Sequence, residues 1–147
     1  MTRVYLDVCC LNRPFDDQTQ SRIRLEAEAV VMVLARFQTG DWEWVSSEVV
    51  DLEIDRTPDP NRRRRARLLA STAHRRMQMD ARVVIRAQEL EARGIDTFDA
   101  LHLACAESGD VDVVLSTDDR LVRRCADRDM DLCVRVVNPL VWIQEEG

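Results

Sequence analysis

Apolar and polar positions follow two periods along the chain, and their alternation predicts strands interleaved with helices. Val4-Tyr5-Leu6 is a short apolar run ending at Asp7, which predicts a first strand over Arg3–Leu6. Cys9 to Gln20, with Pro14, Asp16 and Asp17, reads as irregular, and Ser21 as the N-cap of the helix that follows. In that helix Leu25, Ala29, Val30, Val33, Leu34 and Phe37 recur at helical spacing, and Gly40 stops it. Trp42–Val45 is a second strand. Ser46-Ser47 then caps a helix carrying Val49, Val50, Leu52, Glu53 and Ile54, which Thr57-Pro58-Asp59-Pro60 breaks. Asn61 opens another helix, with Ala66, Leu69, Ala70 and Ala73 inward and Arg62, Arg63, Arg64, Arg65 and Arg67 mainly outward. Asp80 caps a helix over Ala81–Arg93 that ends at Gly94. Asp96 or Thr97 caps the next, whose Phe98, Leu101, Leu103 and Ala104 form a buried body closed by Gly109. Val111–Leu115 is near-continuously apolar, as in a strand covered on both faces. An amphipathic helix over Thr117–Arg128, a last strand over Leu132–Val137 and a helical turn over Leu140–Ile143 complete the chain.

This order predicts an α/β fold: a three-layer α/β/α sandwich with a mostly parallel sheet of four to five strands. Neither a repeat nor a linker divides the 147 residues, so one domain over 1–147 is expected, large enough to bury roughly 70% of its unfolded surface. The longest apolar runs reach four to six residues, far short of the ~20 that cross a bilayer. Met1-Thr2-Arg3 leads straight into the first strand with no targeting segment, and a cytoplasmic location without membrane attachment is expected. Five cysteines fit that compartment as small buried hydrophobes. None is spaced as CxxC, and the adjacent pair Cys9-Cys10 suits neither a compact metal site nor an ordinary disulfide.

The net charge of −6 would discourage a nucleic-acid partner, because basic surface usually supplies that affinity. Yet all 21 basic residues are Arg, the side chain suited to forked phosphate contacts. They cluster in Arg62–Arg67 with Arg75-Arg76, and again in Arg120, Arg123 and Arg124.

The acids are placed more tellingly than they are counted. Asp7 ends the first strand, where a carboxylate has little structural purpose. Glu53 lies about two turns into the helix after the second strand, Asp99 in the first turn of the helix before the apolar strand, and Asp118 and Asp119 just after it. Four segments therefore bring carboxylates toward the carboxyl rim of the sheet, where open α/β folds bind ligands. Such acids repel and raise one another's pKa. A divalent cation resolves the conflict, and oxygen ligands favour Mg²⁺ or Mn²⁺ over zinc. Taken singly, Asp99 and Asp118 also suit a helix N-terminus, and Glu53 a solvated face.

The segments Val4-Tyr5-Leu6-Asp7, Ser46–Ile54, Asp99-Ala100-Leu101-His102-Leu103-Ala104 and Val113–Asp119 together resemble a PIN domain, of the small bacterial and archaeal kind that includes VapC-like toxins. The resemblance spans nearly the whole chain. It implies a metal-dependent ribonuclease whose acids match Asp7, Glu53, Asp99 and Asp119, the last within Thr117-Asp118-Asp119, with Asp118 the rival for that place and Asp96 assisting. It also implies an RNA substrate, a homodimer and a cognate antitoxin if the chain is the toxin of a pair. The family often has Ser, Thr or Asn after the first Asp, where this chain has Val8-Cys9; support for the ligand carboxylate then falls to Asn12 or Thr117. On this reading one or two Mg²⁺, held mainly by Asp7 and Asp99 and completed by Glu53 and Asp119, activate water with no covalent nucleophile.

Arg13, Arg62, Arg63 and Arg120 are the expected RNA contacts, against the plainer reading of solvated helix faces. Trp42, Trp44 and Trp142 are too few for base stacking and read as core or dimer contacts. His102 sits one turn after Asp99 and reads as a packing histidine; His74 reads as surface. A receiver-like fold would need a Lys opposite its aspartates, and an aspartyl-nucleophile phosphatase an Asp-x-Asp after the first strand. The chain has no Lys, and Asp7-Val8-Cys9 fails the second test. The remaining alternative is a catalytically impaired PIN-like module that binds RNA or a protein partner.

Overall fold

The central strand β1 (Thr2–Leu6) buries Val4, Tyr5 and Leu6 almost completely, because both of its edges are paired and both of its faces covered. On one side it pairs in parallel with β2 (Trp42–Ser47), Val4 opposite Trp44; on the other with β4 (Val113–Leu115), Leu6 opposite Leu115. Outside these lie β3 (Arg75–Met77) and β5 (Arg135–Val137), giving the order β3-β2-β1-β4-β5 with every pair parallel. The computed structural model describes residues 1–146.

Parallel neighbours require crossovers. α1 (Val8–Asn12) and α2 (Ser21–Gln38) join β1 to β2, and α3 (Glu48–Asp55) and α4 (Pro60–Ala70) join β2 to β3. α5 (Ala81–Ala92) and α6 (Thr97–Ser108) lead to β4, α7 (Asp119–Cys125) to β5, and α8 (Pro139–Glu146) follows. The result is the three-layer α/β/α sandwich. The chain winds outward from β1 to β3 and then returns to the other side of β1 for β4 and β5. The segments leaving β1 and β4 therefore diverge, and a crevice opens at their carboxyl ends. Among the described residues no helix is long and apolar enough to cross a membrane.

Two elements escape the sequence pattern. The segment after Asp7 is helical rather than irregular, because Asp7 accepts a hydrogen bond from Cys10 N and caps α1. β3 has no strand-like sequence. It forms because Val45–Ser47 offers a free edge and His74 joins Trp44 twice, donating its backbone N–H to the Trp44 carbonyl and accepting from Trp44 N at its ring Nδ1 (2.9 and 2.8 Å). His74 is exposed yet structural. Boundaries shift elsewhere: α2 starts at Ser21 itself, α7 stops at Cys125, β4 and β5 begin at Val113 and Arg135, and α8 runs to Glu146. The tryptophans are core groups, with Trp44 stacked on Phe37 (5.0 Å) and Trp42 against Trp142 (5.6 Å).

Glu26, on α2, is only 1% exposed and holds three segments together. It meets Arg13 (3.2 Å), Arg22 (3.2 Å) and the Asn138 side-chain amide before α8 (2.6 Å). Removing one partner of a buried charge pair strands the other. Glu26→Ala should lower stability by roughly 3 kcal/mol in urea unfolding, with Glu26→Gln losing less because it keeps an acceptor for Asn138.

Candidate active site

Asp7 is fixed before any ligand arrives. Its backbone N–H donates to the Leu115 carbonyl (3.2 Å), extending the β1–β4 ladder to the crevice. Its Oδ1 accepts from Cys10 N (3.1 Å) and from the Cys9 thiol (2.7 Å). Burial raises its pKa, against the opposing hydrogen bonds of Cys9 and Ser116. The carboxylate support expected from Asn12 or Thr117 comes instead from Cys9. Asn12 Oδ1 is buried without a partner, and Thr117 contributes only its backbone N–H, which points at Cys9 Sγ (3.4 Å). One tight helical turn brings Cys9 and Cys10 back around the Asp7 carboxylate, so the adjacent pair does form a compact ligand group, contrary to the expectation from spacing.

Glu53 is aimed by a chain of side chains that begins in the sheet. The Ser47 hydroxyl, the Tyr5 hydroxyl and His102 Nδ1 are linked at 2.6 Å each, and His102 Nε2 meets Glu53 Oε1 at 2.6 Å. Tyr5 is fully buried and His102 is 2% exposed. His102 is thus more than a packing histidine: three residues after Asp99 on α6, it shares that face and orients the acid from α3. Tyr5 carries no sequence signal beyond its place in an apolar strand.

Asp99 reports how the acids are assembled. Its pKa is pushed up to about 6, first by burial, then by the charges of Asp7, Asp118 and Glu53, with His102 opposing. Carboxylates from β1, α3, α6 and the start of α7 therefore act on one point. Among the described residues Asp7, Asp99 and Asp118 have no ion-pair partner, and Glu53 has only His102. Asp118 caps α7 through Arg120 N (3.0 Å) and Leu121 N (3.3 Å) while lining, with Asp99 and Asp96, a cavity of about 130 Å³. Asp119 turns the other way. Its two oxygens grip Arg22 at 2.6 and 2.7 Å, which holds its carboxyl below the usual range.

The same cavity is bordered by Arg120 and Arg124. Arg124 donates to the Arg93 carbonyl (2.8 Å) and crosses directly over Gly94, where a Cβ would lie 1.7 Å from its Nη2. With φ at +94° the backbone at position 94 favours glycine, and a side chain there would push the Arg124 guanidinium aside. The other expected RNA contacts lie elsewhere: Arg13 and Arg62 both pair with Asp16, and Arg63 donates to the Thr57 carbonyl (2.8 Å).

The donor set suits a hard divalent ion in kind, being carboxylate oxygens with unbalanced charge. The acids stand apart: among the described residues no three of them bring oxygens within 4.8 Å of one another, and the one such ligand group is Asp7, Cys9 and Cys10.

The PIN domain family model matches residues 4–127. Solved structures with a similar fold include FitAcB from Neisseria gonorrhoeae (16% identity, TM-score 0.58, covering 92% of this chain and 97% of that one). VapBC2 from Rickettsia felis, bound to a DNA fragment from its promoter, gives 10% identity and a TM-score of 0.60 over 92% of this chain and 98% of that one. VapBC-1 from nontypeable Haemophilus influenzae gives 14% and 0.59 over 94% and 98%. No curated protein matches the chain in sequence.

A raised carboxyl pKa means that the folded state resists ionising Asp99, so stability is lost as pH rises from the ordinary carboxylate range through about 6. In metal-free protein at pH ~7.5, Asp99→Asn should therefore stabilise the fold by about 1–2 kcal/mol after allowance for its partial exposure, a rise of roughly 3–6 °C in Tm. That gain should shrink toward about pH 4, where Asp99 is protonated in either state. Thermal scans across this pH range check both parts.

Proposed function

The chain belongs to the PIN domain family, and on that footing we propose that it is a Mg²⁺- or Mn²⁺-dependent endoribonuclease that hydrolyses RNA phosphodiester bonds at the acid-lined crevice. The observation that carries this reading is the convergence on Asp99 of three further carboxylates from separate elements, with His102 as their only basic partner among the described residues. Asp7 and Asp118 also cap α1 and α7, but those caps do not need the like charges gathered about Asp99, which a bound cation would offset.

Asp7, Asp99 and Asp118 would hold the ion, with Glu53 completing the set or orienting water. Bound there, a divalent ion lowers the pKa of water and offsets charge on the phosphate. The remaining work falls to the protein. Cys9 and the Cys10 amide both hold Asp7 Oδ1 in place. The Ser47–Tyr5–His102 chain fixes Glu53, so a water hydrogen-bonded to that carboxylate would have a defined direction. Arg120 and Arg124, the cations that border the cavity, would take the phosphate oxygens. Asp96 lies at the cavity rim and would assist in holding water. Asp119, already neutralised by Arg22, has no part in this reading. Arg13, Arg62 and Arg63 would contact RNA only outside the crevice.

The solved neighbours include VapBC assemblies, which supports an antitoxin as protein partner for this chain and toxin activity as its role. The exposed apolar residues Leu25, Val31 and Met32 on α2, beside a groove that Pro14 and Ala27 also line, offer such a partner surface. Co-expression with the product of the adjoining open reading frame tests the pairing, and light scattering of the purified chain tests the homodimer.

Cleavage of end-labelled RNA with Mg²⁺ or Mn²⁺ and an EDTA control tests the activity. Asp7→Asn, Asp99→Asn and Asp118→Asn should each lose at least about a hundredfold, whereas Asp119→Asn should change the rate less than about threefold. His102→Gln should lose roughly tenfold through Glu53. Arg124→Ala should act mainly on KM. Full activity in Asp7→Asn would overturn the reading, and metal and RNA binding without cleavage would favour a module impaired in chemistry.

A further inference from the structure

The one close ligand group among the described residues is one that a hard-metal nuclease does not need. Asp7 Oδ, Cys9 Sγ and Cys10 Sγ all lie within 4.8 Å of one another, and Cys9 Sγ is 2.7 Å from Asp7 Oδ1. We propose that this group is a binding site for a thiophilic divalent ion, Zn²⁺ or Cd²⁺, which takes Asp7 as a ligand and so excludes the hard cation from the crevice.

Three features favour it. Two sulfurs and a carboxylate oxygen are three ligands of the tetrahedral set that zinc prefers, at Zn–S near 2.3 Å and Zn–O near 2.0–2.2 Å, and the fourth place is left to water. Soft sulfur selects such ions against Mg²⁺, for which thiolates are poor ligands. Cys9 Sγ already faces a backbone donor, Thr117 N at 3.4 Å, which would stabilise the thiolate formed on binding.

Turning Cys10 toward the ion strands no acceptor. Its thiol donates to the Leu115 carbonyl at 3.3 Å, but that oxygen already accepts from Asp7 N at 3.2 Å, so it keeps a partner when the thiol turns away. On binding, each thiol gives up its proton to solvent and its sulfur forms one bond to the ion; no oxidant or reductant takes part. Cys10 is fully buried, but Cys9 is part-exposed and gives the ion its way in. Among the described residues Cys105, Cys125 and Cys133 belong to no comparable group.

Binding does not rest on the nuclease reading; the consequence for cleavage does. The test is a titration of the reduced, metal-free full chain with Cd²⁺, followed by the cadmium–thiolate absorption band in the ultraviolet. One equivalent should saturate the band. Cys9→Ala should abolish it, Cys10→Ser should at least halve it, Asp7→Asn should weaken binding at least tenfold, and a Cys125→Ser/Cys133→Ser double variant should keep it. Far-ultraviolet circular dichroism identifies any variant that fails to fold, and Cys9→Ala, whose side chain is only part-buried, then carries the result. Absence of the band in the parent chain, its persistence in Cys9→Ala, or its loss in the double variant would overturn the site. In parallel, one equivalent of Zn²⁺ should suppress Mg²⁺-dependent RNA cleavage at least tenfold. Saturable binding with undiminished cleavage would overturn the exclusion of the hard cation. Saturable binding in a chain that cleaves no RNA under any condition would leave the site standing and count against the nuclease reading instead.

Discussion

Everything at the crevice depends on one unfavourable interaction: carboxylates from the end of β1, α3, α6 and the start of α7 are held close enough to disturb one another, in partly buried surroundings, with His102 as the only basic partner among the described residues. Burial and like charge both penalise ionisation, and Asp99, on which three other acids act, registers the sum. A sheet whose strand order reverses at β1 makes the arrangement possible, because the chain ends of β1 and β4 open there while the helices on either side reach back over the gap. The fold supplies the convergence, and the acids turn it into a demand for positive charge.

The rest of the site is built to hold that arrangement still. Asp7 is pinned by its own helix turn and by the sheet ladder, and Glu53 by a relay that starts at a buried tyrosine. Asp7 is held without a charged partner and Glu53 through His102 rather than an arginine; the fourth position shows the contrast. Asp118 spends its hydrogen bonds on capping α7 and lines the cavity, whereas Asp119 beside it is exposed and paired through both oxygens with Arg22.

Much of this was legible in the sequence. The strands β1, β2 and β4 and the long helices follow from apolar periodicity, and Asp7, Glu53 and Asp99 from their places relative to strand ends. The different surroundings of Asp118 and Asp119 were not, because neighbours at a helix start point about 100° apart, and Arg22, which pairs with Asp119, lies 97 positions away in the chain. β3 was hidden because Arg75-Arg76-Met77 has no strand propensity of its own, and the edge of β2 and the two hydrogen bonds between His74 and Trp44 order it. Cys9 looked like a small hydrophobe because composition says nothing of a thiol folded back onto the preceding acid. Tyr5 and His102 looked like core, which they are; their polar ends face each other inside it.

The account rests on Asp99 sitting among unneutralised carboxylates that a divalent ion would relieve. The most direct measurement is a ¹³C NMR titration of the Asp99 side-chain carboxyl in the metal-free protein and again with saturating Mg²⁺, assigned against Asp99→Asn. The account predicts a midpoint near 6 without metal and a fall into or below the ordinary carboxylate range when Mg²⁺ is bound. An ordinary midpoint in the metal-free protein, or a raised one that Mg²⁺ leaves unmoved, would contradict it.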